Sequence, residues 1–259
     1  MDSHRAERFA EGLATPEEMS PEERAIEVLV KKSVRAPARL EPADLVPLVG
    51  LLGTSGALEV VAMLGAFHFV TRVADLVAIE SELPIVQRRW RWLRSLGVRL
   101  QSRVFRRVMD LANEAVEVDV RMLLAETERI RGASLPSGYA AMHASPNVAA
   151  WAYRMTVELP SLDGAMLGRV TRGVAAALPA SEDESTGFHA RPPEPLDALV
   201  FVGTRYAART TDEMVGAVLA AYGWSDAELT DCFYAIGSRN AFERVDRLLA
   251  APLNGSSAG

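Results

Sequence analysis

The chain has 259 residues, of which 49% are hydrophobic and 24% are charged, a composition that predicts a buried core and excludes an intrinsically disordered chain. The net charge of -6 offers no basic excess for binding nucleic acid. The single cysteine excludes an intramolecular disulfide and a cysteine-rich zinc site.

The N-terminal residues 1–19 are polar and acidic, and we expect them to form a mobile arm. They lack the apolar segment of a signal peptide, and no window of about 18 unbroken apolar residues predicts a transmembrane span. We therefore expect a cytoplasmic protein with no membrane or nucleic-acid partner. Arginine far outnumbers lysine and alanine is abundant, which favours a bacterial source.

The first predicted unit covers residues 20–84. Ser20 and Glu23 form a capping-box pattern, with Pro21 at the first helical position. Pro37 and Pro42 bracket a loop. The unit is predicted to contain helices at 25–34, 42–52 and 57–76, with a glycine-containing turn at 53–56.

A connecting region follows at 85–144. Eight arginines and two tryptophans crowd positions 88–107, and acidic residues follow them. Interleaved arginine and indole groups can bind phosphates or anionic lipid. The same stretch carries an apolar stripe at helical spacing, so a solvated amphipathic helix is the alternative.

The second predicted unit covers residues 145–251, before a tail at 252–259 that we expect to be disordered. Capping boxes are predicted at Thr210 with Glu213 and at Ser225 with Glu228. No segment alternates with a period of two residues, so the fold class is predicted to be all-α. The unit is predicted to contain helices at 145–159, 162–178, 196–206, 212–222 and 227–249, with a long loop at 179–195.

The stretch 57–76 is apolar on nearly every side and carries one polar ridge. His68, Arg72 and Asp75 share a face of this predicted helix. A helix of this kind belongs in a protein interior, where its polar groups need partners. The stretch 228–249 has the same pattern of an apolar helix with a few polar positions, and this predicts an internal duplication. The matched pairs are Gly65 with Gly237, His68 with Asn240, Arg72 with Arg244, and Val73 with Val245.

These two segments read GTSGALEVVAMLGAFHFVTRVAD and GWSDAELTDCFYAIGSRNAFERVDRL. Residues 20–77, which include the first segment, resemble the C-terminal half of proteins in the alkyl hydroperoxidase D-like and carboxymuconolactone decarboxylase superfamily, with His68 where the family usually has asparagine. The second segment is a second copy that keeps Asn240 and Arg244. Residues 145–177 resemble the family's N-terminal half. The resemblance implies two similar multi-helix units of that type and association into a homo-oligomer.

The chain departs from the peroxidase members of that family, because it has no CxxC motif. A dithiol cycle needs a second thiol, so the resemblance implies non-redox acid–base chemistry on a small organic molecule. The enzyme class stays open between a decarboxylase-like lyase and a peroxidase-related oxidoreductase. No cofactor and no metal are expected.

The candidate catalytic residues are His68 for proton transfer, Arg72 for anion binding and Asp75 as the orienting carboxylate. Asn240 and Arg244 are candidate substrate-binding residues. The alternative for both sets is a buried structural network. Cys232 is a candidate nucleophile, with Glu228 and Arg239 along the same face, against the alternative of a small core residue.

His189, with Asp183 and Glu184, lies in the long loop and is a candidate for a metal site or a lid. A solvated histidine is the alternative, because no ligand spacing supports a metal. Three functions therefore stay open for the chain. They are an acid–base enzyme on a small molecule, a non-catalytic protein that binds a small molecule or partner, and thiol chemistry through Cys232.

Overall fold

The computed structural model describes residues 19–77, 119–156, 159–181 and 191–253, and within these ranges every regular element is helical. The predicted all-α class is confirmed. The α-helices are α1 (Pro21–Arg35), α2 (Val46–Val77), α3 (Val120–Arg131), α4 (Pro146–Met155), α5 (Gly164–Ala177), α6 (Pro195–Arg205), α7 (Asp212–Tyr222) and α8 (Asp226–Leu248). Short 3-10 helices occur at Pro37–Arg39, Pro42–Leu45, Ser137–Ala144 and Ala207–Arg209.

Several predicted features lie wholly or mainly outside the described residues. They are the N-terminal arm, the arginine- and tryptophan-rich stretch at 88–107, the loop that contains His189, and the C-terminal tail.

Two of the three predicted capping boxes are confirmed. Ser20 Oγ accepts from the backbone N–H of Glu23 at 3.2 Å, and the Ser20 N–H donates to the Glu23 carboxylate at 2.7 Å. Ser225 makes the same box with Glu228. The predicted capping box at Thr210 is wrong, because Thr210 ends the preceding 3-10 turn, where its backbone N–H donates to the Ala207 carbonyl oxygen. The N-cap is Thr211, whose hydroxyl accepts from the N–H of Met214.

Helices α2 and α8 form the central antiparallel pair, and glycine allows their backbones to approach. A Cβ on Gly65 of α2 would lie 3.1 Å from Val245 Cγ2 of α8 and 2.5 Å from Trp151 Cη2. A Cβ on Gly237 of α8 would lie 2.5 Å from Val73 Cγ2 of α2. The two glycine–valine contacts are therefore reciprocal across the helix pair.

The described core consists of two apolar clusters, and both central helices contribute to each. The first cluster takes residues from α1, α3 and α4 and includes Leu58 of α2 with Leu248 of α8. The second takes residues from α5, α6 and α7 and includes Leu76 of α2 with Ile236 of α8. Opposite ends of α2 and α8 therefore meet in each cluster, which ties the early and late parts of the chain together.

The chain enters both central helices through a similar series of elements. In each case an α-helix is followed by a 3-10 turn, a further helical stretch and a glycine with positive φ. These glycines are Gly53 at 71°, where α2 is kinked, and Gly223 at 65°, which ends α7. Backbone angles at the first 3-10 turn recur at the second. Ala36 has φ -142° and ψ 54°, and Tyr206 has φ -142° and ψ 45°.

The prediction that the 57–76 helix is enclosed on all sides was wrong for one face. Met63 is 39% exposed and Phe67 is 54% exposed, whereas Leu58 and Val61 are buried. Within the described ranges, Pro42–Leu76 is the one stretch with the length and apolarity of a membrane-crossing helix. Core helices of soluble proteins share this length and apolarity.

Candidate functional site

His68 is enclosed at 3% exposure and contacts Ser33 of α1. The ring Nε2 lies 3.2 Å from Ser33 Oγ, and the Ser33 hydroxyl donates its single hydrogen to the carbonyl oxygen of Val30 at 2.8 Å. Ser33 Oγ can therefore only accept from the ring, which assigns the hydrogen to Nε2 of His68. Burial, with the positive charges of Arg244 and Arg72, holds the pKa of His68 well below its ordinary value. The imidazole is thus neutral.

Arg244 is 1% exposed and is held by main-chain oxygens. Its Nε donates to the Ser33 carbonyl oxygen at 3.0 Å, and its Nη1 donates to the Asn240 carbonyl oxygen at 2.7 Å and to Asn240 Oδ1 at 3.2 Å. Burial, together with the charge of Arg72, lowers the pKa of Arg244 to about 9. Ser33 joins His68 through its side chain and Arg244 through its main chain.

Asn240 completes this buried network on the other side of Arg244. Its Nδ2 donates to the Ile236 carbonyl oxygen at 2.9 Å and to Thr204 Oγ1 of α6 at 3.4 Å, and the residue is fully buried. The network therefore connects α1, α2, α6 and α8. Its contacts are internal to the protein, which favours the structural interpretation of His68, Asn240 and Arg244.

Arg72 and Asp75 lie on α2 as predicted and are partly exposed. The buried Nε of Arg72 has no hydrogen-bond partner among the described residues. Burial lowers the pKa of Arg72, and the charge of Asp75 partly opposes this. Within the described ranges no hydrogen bond joins His68, Arg72 and Asp75, so the three residues share a helix without forming a bonded catalytic triad.

Cys232 is fully buried in the second apolar cluster. Burial raises the pKa of its thiol to about 12. Nucleophilic cysteines are accessible and have a lowered pKa, because the thiolate is the reactive form. Glu228, predicted on the same face, is committed to the cap at Ser225. The surroundings of Cys232 therefore favour its interpretation as a small core residue.

A cavity of about 280 Å³ lies against α8 at Ala235, Ser238, Arg239 and Phe242. Neither His68 nor Arg72 lines it. Three arginines line it, Arg129, Arg131 and Arg239, and no described carboxylate does. Two residues that carry a hydroxyl group, Ser238 and Thr156, also line it. The apolar part of the wall includes Ile130, Leu159, Leu167, Ala235 and Phe242.

Arg131 is held rigidly at this cavity. Its guanidinium donates through Nη1 and Nη2 to the two carboxylate oxygens of Asp246, and its Cζ lies 4.4 Å from the ring centroid of Phe242. Tyr139 donates its hydroxyl to Asp246 at 2.7 Å. Burial alone would lower the pKa of Arg131, but the bond and charge of Asp246 outweigh it and raise that pKa. Arg131 Nε is buried and unbonded among the described residues.

Arg239 differs from Arg131 because it makes no described hydrogen bond or ion pair. It is partly buried, and burial, together with the charge of Arg131, lowers its pKa. The charges of Asp246 and Glu243 oppose this lowering at longer range. A desolvated guanidinium without a bonded carboxylate favours an anion beside it.

Sequence reasoning missed this cavity. It considered Arg239 only as a neighbour of Cys232 and did not single out Arg131, Thr156 or Ser238. The sequence near Arg239 gives only a weak indication of the cavity. Ala235, one helical turn before Arg239, and Ser238, directly before it, are small residues that leave space beside its side chain. The rest of the wall comes from α3, from Thr156 and from residues 159–167, which no spacing within α8 reveals.

A second cavity of about 360 Å³ lies between α3 and the Ser137–Ala144 turn and includes Arg121, Glu128 and His143. It is more open than the first. Among the described residues, no group of three or more histidine, cysteine, aspartate or glutamate side chains is placed to hold a metal ion.

Comparison with known proteins adds no relative. The chain matches no family model, no curated protein and no solved structure. Its membership of the alkyl hydroperoxidase D-like superfamily is therefore a proposal.

Proposed function

We propose that this protein binds a small anionic organic molecule in the cavity formed by α3, α8, Thr156 and residues 159–167. The observation that carries the proposal is Arg239, a partly buried guanidinium on the cavity wall with no bonded carboxylate among the described residues. An anion at this position would supply the missing charge and accept its hydrogen bonds. The apolar wall would hold the body of the ligand.

The residues of the cavity are better suited to ligand binding than to acid–base catalysis. Among the described residues that line the cavity, the ionisable side chains are arginines. Arginine keeps its proton, so it does not serve as a general acid or base. The candidate acid–base residue His68 lies in the separate buried network, and Cys232 lies in the second core cluster. The non-catalytic alternative is therefore the one we retain.

We further propose that the fold is a divergent alkyl hydroperoxidase D-like one built by internal duplication. Two features support this. The reciprocal contacts of Gly65 with Val245 and Gly237 with Val73 are those expected of two equivalent helices related by a twofold axis. The second feature is the pair of 3-10 turns that precede α2 and α8 with similar backbone angles. An experimental structure of the whole chain tests the relationship.

The binding proposal is tested by mass spectrometry of natively purified protein for a retained ligand, followed by calorimetric titration with small carboxylates. Substituting Arg239→Gln should weaken binding by about tenfold or more, because a charge-assisted hydrogen bond contributes about 1.5–3 kcal/mol. The matched control is Arg154→Gln on α4, where the arginine is exposed and lies outside the cavity. Equal affinity in the Arg239→Gln and wild-type proteins, or no binding of any carboxylate, would overturn the proposal.

A further inference from the structure

We infer that the ligand of this cavity is a compact hydroxy acid with a single carboxylate and an apolar body. This inference rests on the proposed function, and it names the class of molecule from the charges, hydrogen-bonding groups and size of the cavity. Each of these three properties restricts the ligand in a different way.

The charge of the ligand follows from the ion pairs around the cavity. Arg131 is neutralised by Asp246, to which it donates two hydrogen bonds. Glu243 pairs with Arg247 at 3.8 Å, and Arg129 pairs with Glu126 at 2.6 Å. Arg239 is left as the surplus positive charge beside the cavity. One surplus charge in a partly desolvated site matches a monoanion, whereas a dianion would bring one buried charge without a partner.

The hydroxyl group of the ligand follows from the direction of two hydrogen bonds. Ser238 Oγ donates to the Met155 carbonyl oxygen at 3.0 Å, and Thr156 Oγ1 donates to the Ala152 carbonyl oxygen at 2.9 Å. Each hydroxyl has one hydrogen, so both can offer only lone pairs to the cavity. Acceptors of this kind repel a carboxylate and favour a ligand O–H. The carboxylate itself is left to Arg239, which lines the cavity and has no bonded carboxylate among the described residues.

The size and walls of the cavity restrict the rest of the molecule. Its volume of about 280 Å³ is just below the range of about 300–1,000 Å³ that is typical of ligand sites. Leu159, Leu167 and Phe242 form an apolar surface away from the arginines. The ligand body is therefore apolar and small, of the size of a phenyl or branched butyl group.

The test uses two matched pairs of acids that differ by one hydroxyl group. Mandelate is compared with phenylacetate, and α-hydroxyisocaproate with isocaproate, by calorimetric titration of the full-length protein. At least one hydroxy acid should bind about tenfold more tightly than its deoxy partner, since one neutral hydrogen bond has about that effect. Phenylmalonate and phenyl phosphate, which carry a second charge, should bind more weakly than mandelate.

Two variants assign the preference to the cavity. Ser238→Ala removes one acceptor and should reduce the ratio of the hydroxy-acid affinity to the affinity for its deoxy partner. Arg239→Gln should weaken both members of a pair by a similar factor. If Ser238→Ala does not fold, the wild-type comparison alone decides the ligand class.

The outcomes separate the two proposals. Absence of any carboxylate binding overturns the proposed function and this inference together. Carboxylate binding that depends on Arg239, but with no preference for the hydroxyl group or with tighter binding of the dianions, overturns this inference alone.

Discussion

The guanidinium of Arg244 donates from Nε to the main-chain carbonyl oxygen of Ser33 at 3.0 Å, across 211 positions of sequence. The bond connects α8, the last described helix, with α1, the first. Ser33 also accepts from the ring of His68 on α2 through its hydroxyl oxygen. One small residue therefore joins polar groups from both central helices in the interior of the protein.

Arg244→Lys should destabilise the protein by about 2–4 kcal/mol, although the charge type is kept. A lysine ammonium is a single point donor and cannot reach the Ser33 and Asn240 oxygens with the geometry of a guanidinium, so buried acceptors would lose their partners. The measurement is urea-induced unfolding followed by circular dichroism. The control is Arg154→Lys at an exposed position, expected to change the free energy of unfolding by less than about 0.5 kcal/mol. A wild-type unfolding midpoint in Arg244→Lys would contradict the prediction.

The sequence was sufficient to predict the local features of this network but not its contacts. Helical spacing places His68 and Arg72 on one face of α2, and the capping residues at Ser20 and Ser225 set helix starts. Ser33 and Thr204 carry no pattern that marks them as partners, because they meet His68 and Asn240 only when α1 and α6 pack against the central pair. The same reason hides the cavity, whose wall is assembled from distant segments.

The buried ring of His68 should make the protein less stable in mild acid. The unfolded chain binds a proton at His68 below an ordinary pKa near 6.5, whereas the folded ring, desolvated and close to Arg244 and Arg72, has a pKa well below this. The stabilising contribution of the neutral ring is therefore full above pH 6.5 and is lost as pH falls below it, at about 1.4 kcal/mol per pH unit.

The measurement compares urea unfolding at about pH 7.5 and about pH 5.5, a window chosen because histidine protonation falls within it. The wild-type protein should lose about 1.4 kcal/mol more than His68→Asn across this window. His143→Asn, which replaces an exposed imidazole, should keep the wild-type pH dependence because the buried ring is still present. Identical pH dependence in wild-type and His68→Asn proteins would show that the folded ring binds its proton as readily as the unfolded one, and would contradict the prediction.

Cys232 should be unreactive in the native protein. Full burial and a thiol pKa of about 12 leave very little thiolate near neutral pH and no path for a reagent. A maleimide should label the native protein slowly and the urea-unfolded protein at once, with mass spectrometry as the readout. Carboxylate binding should survive Cys232→Ala, since the residue does not line the cavity. Rapid labelling of native Cys232 would revive the proposal of thiol chemistry.

Gly65→Ala and Gly237→Ala should each destabilise the central helix pair by about 1–3 kcal/mol, as overpacking of a core does. The added methyl at Gly65 would meet the rigid indole of Trp151 at 2.5 Å, and at Gly237 it would meet Val73 at the same distance. Alanine is favoured over glycine inside helices by about 1 kcal/mol, so the clash must exceed that gain. The control is Gly216→Ala on α7, where an added Cβ finds no atom within 4 Å and should stabilise the protein. The measurement is urea unfolding of the three variants. All three gain the same helix propensity, so a difference in their free energies of unfolding reports the clash at the central glycines. If the central variants were as stable as Gly216→Ala, close approach of α2 and α8 at these two glycines would be refuted.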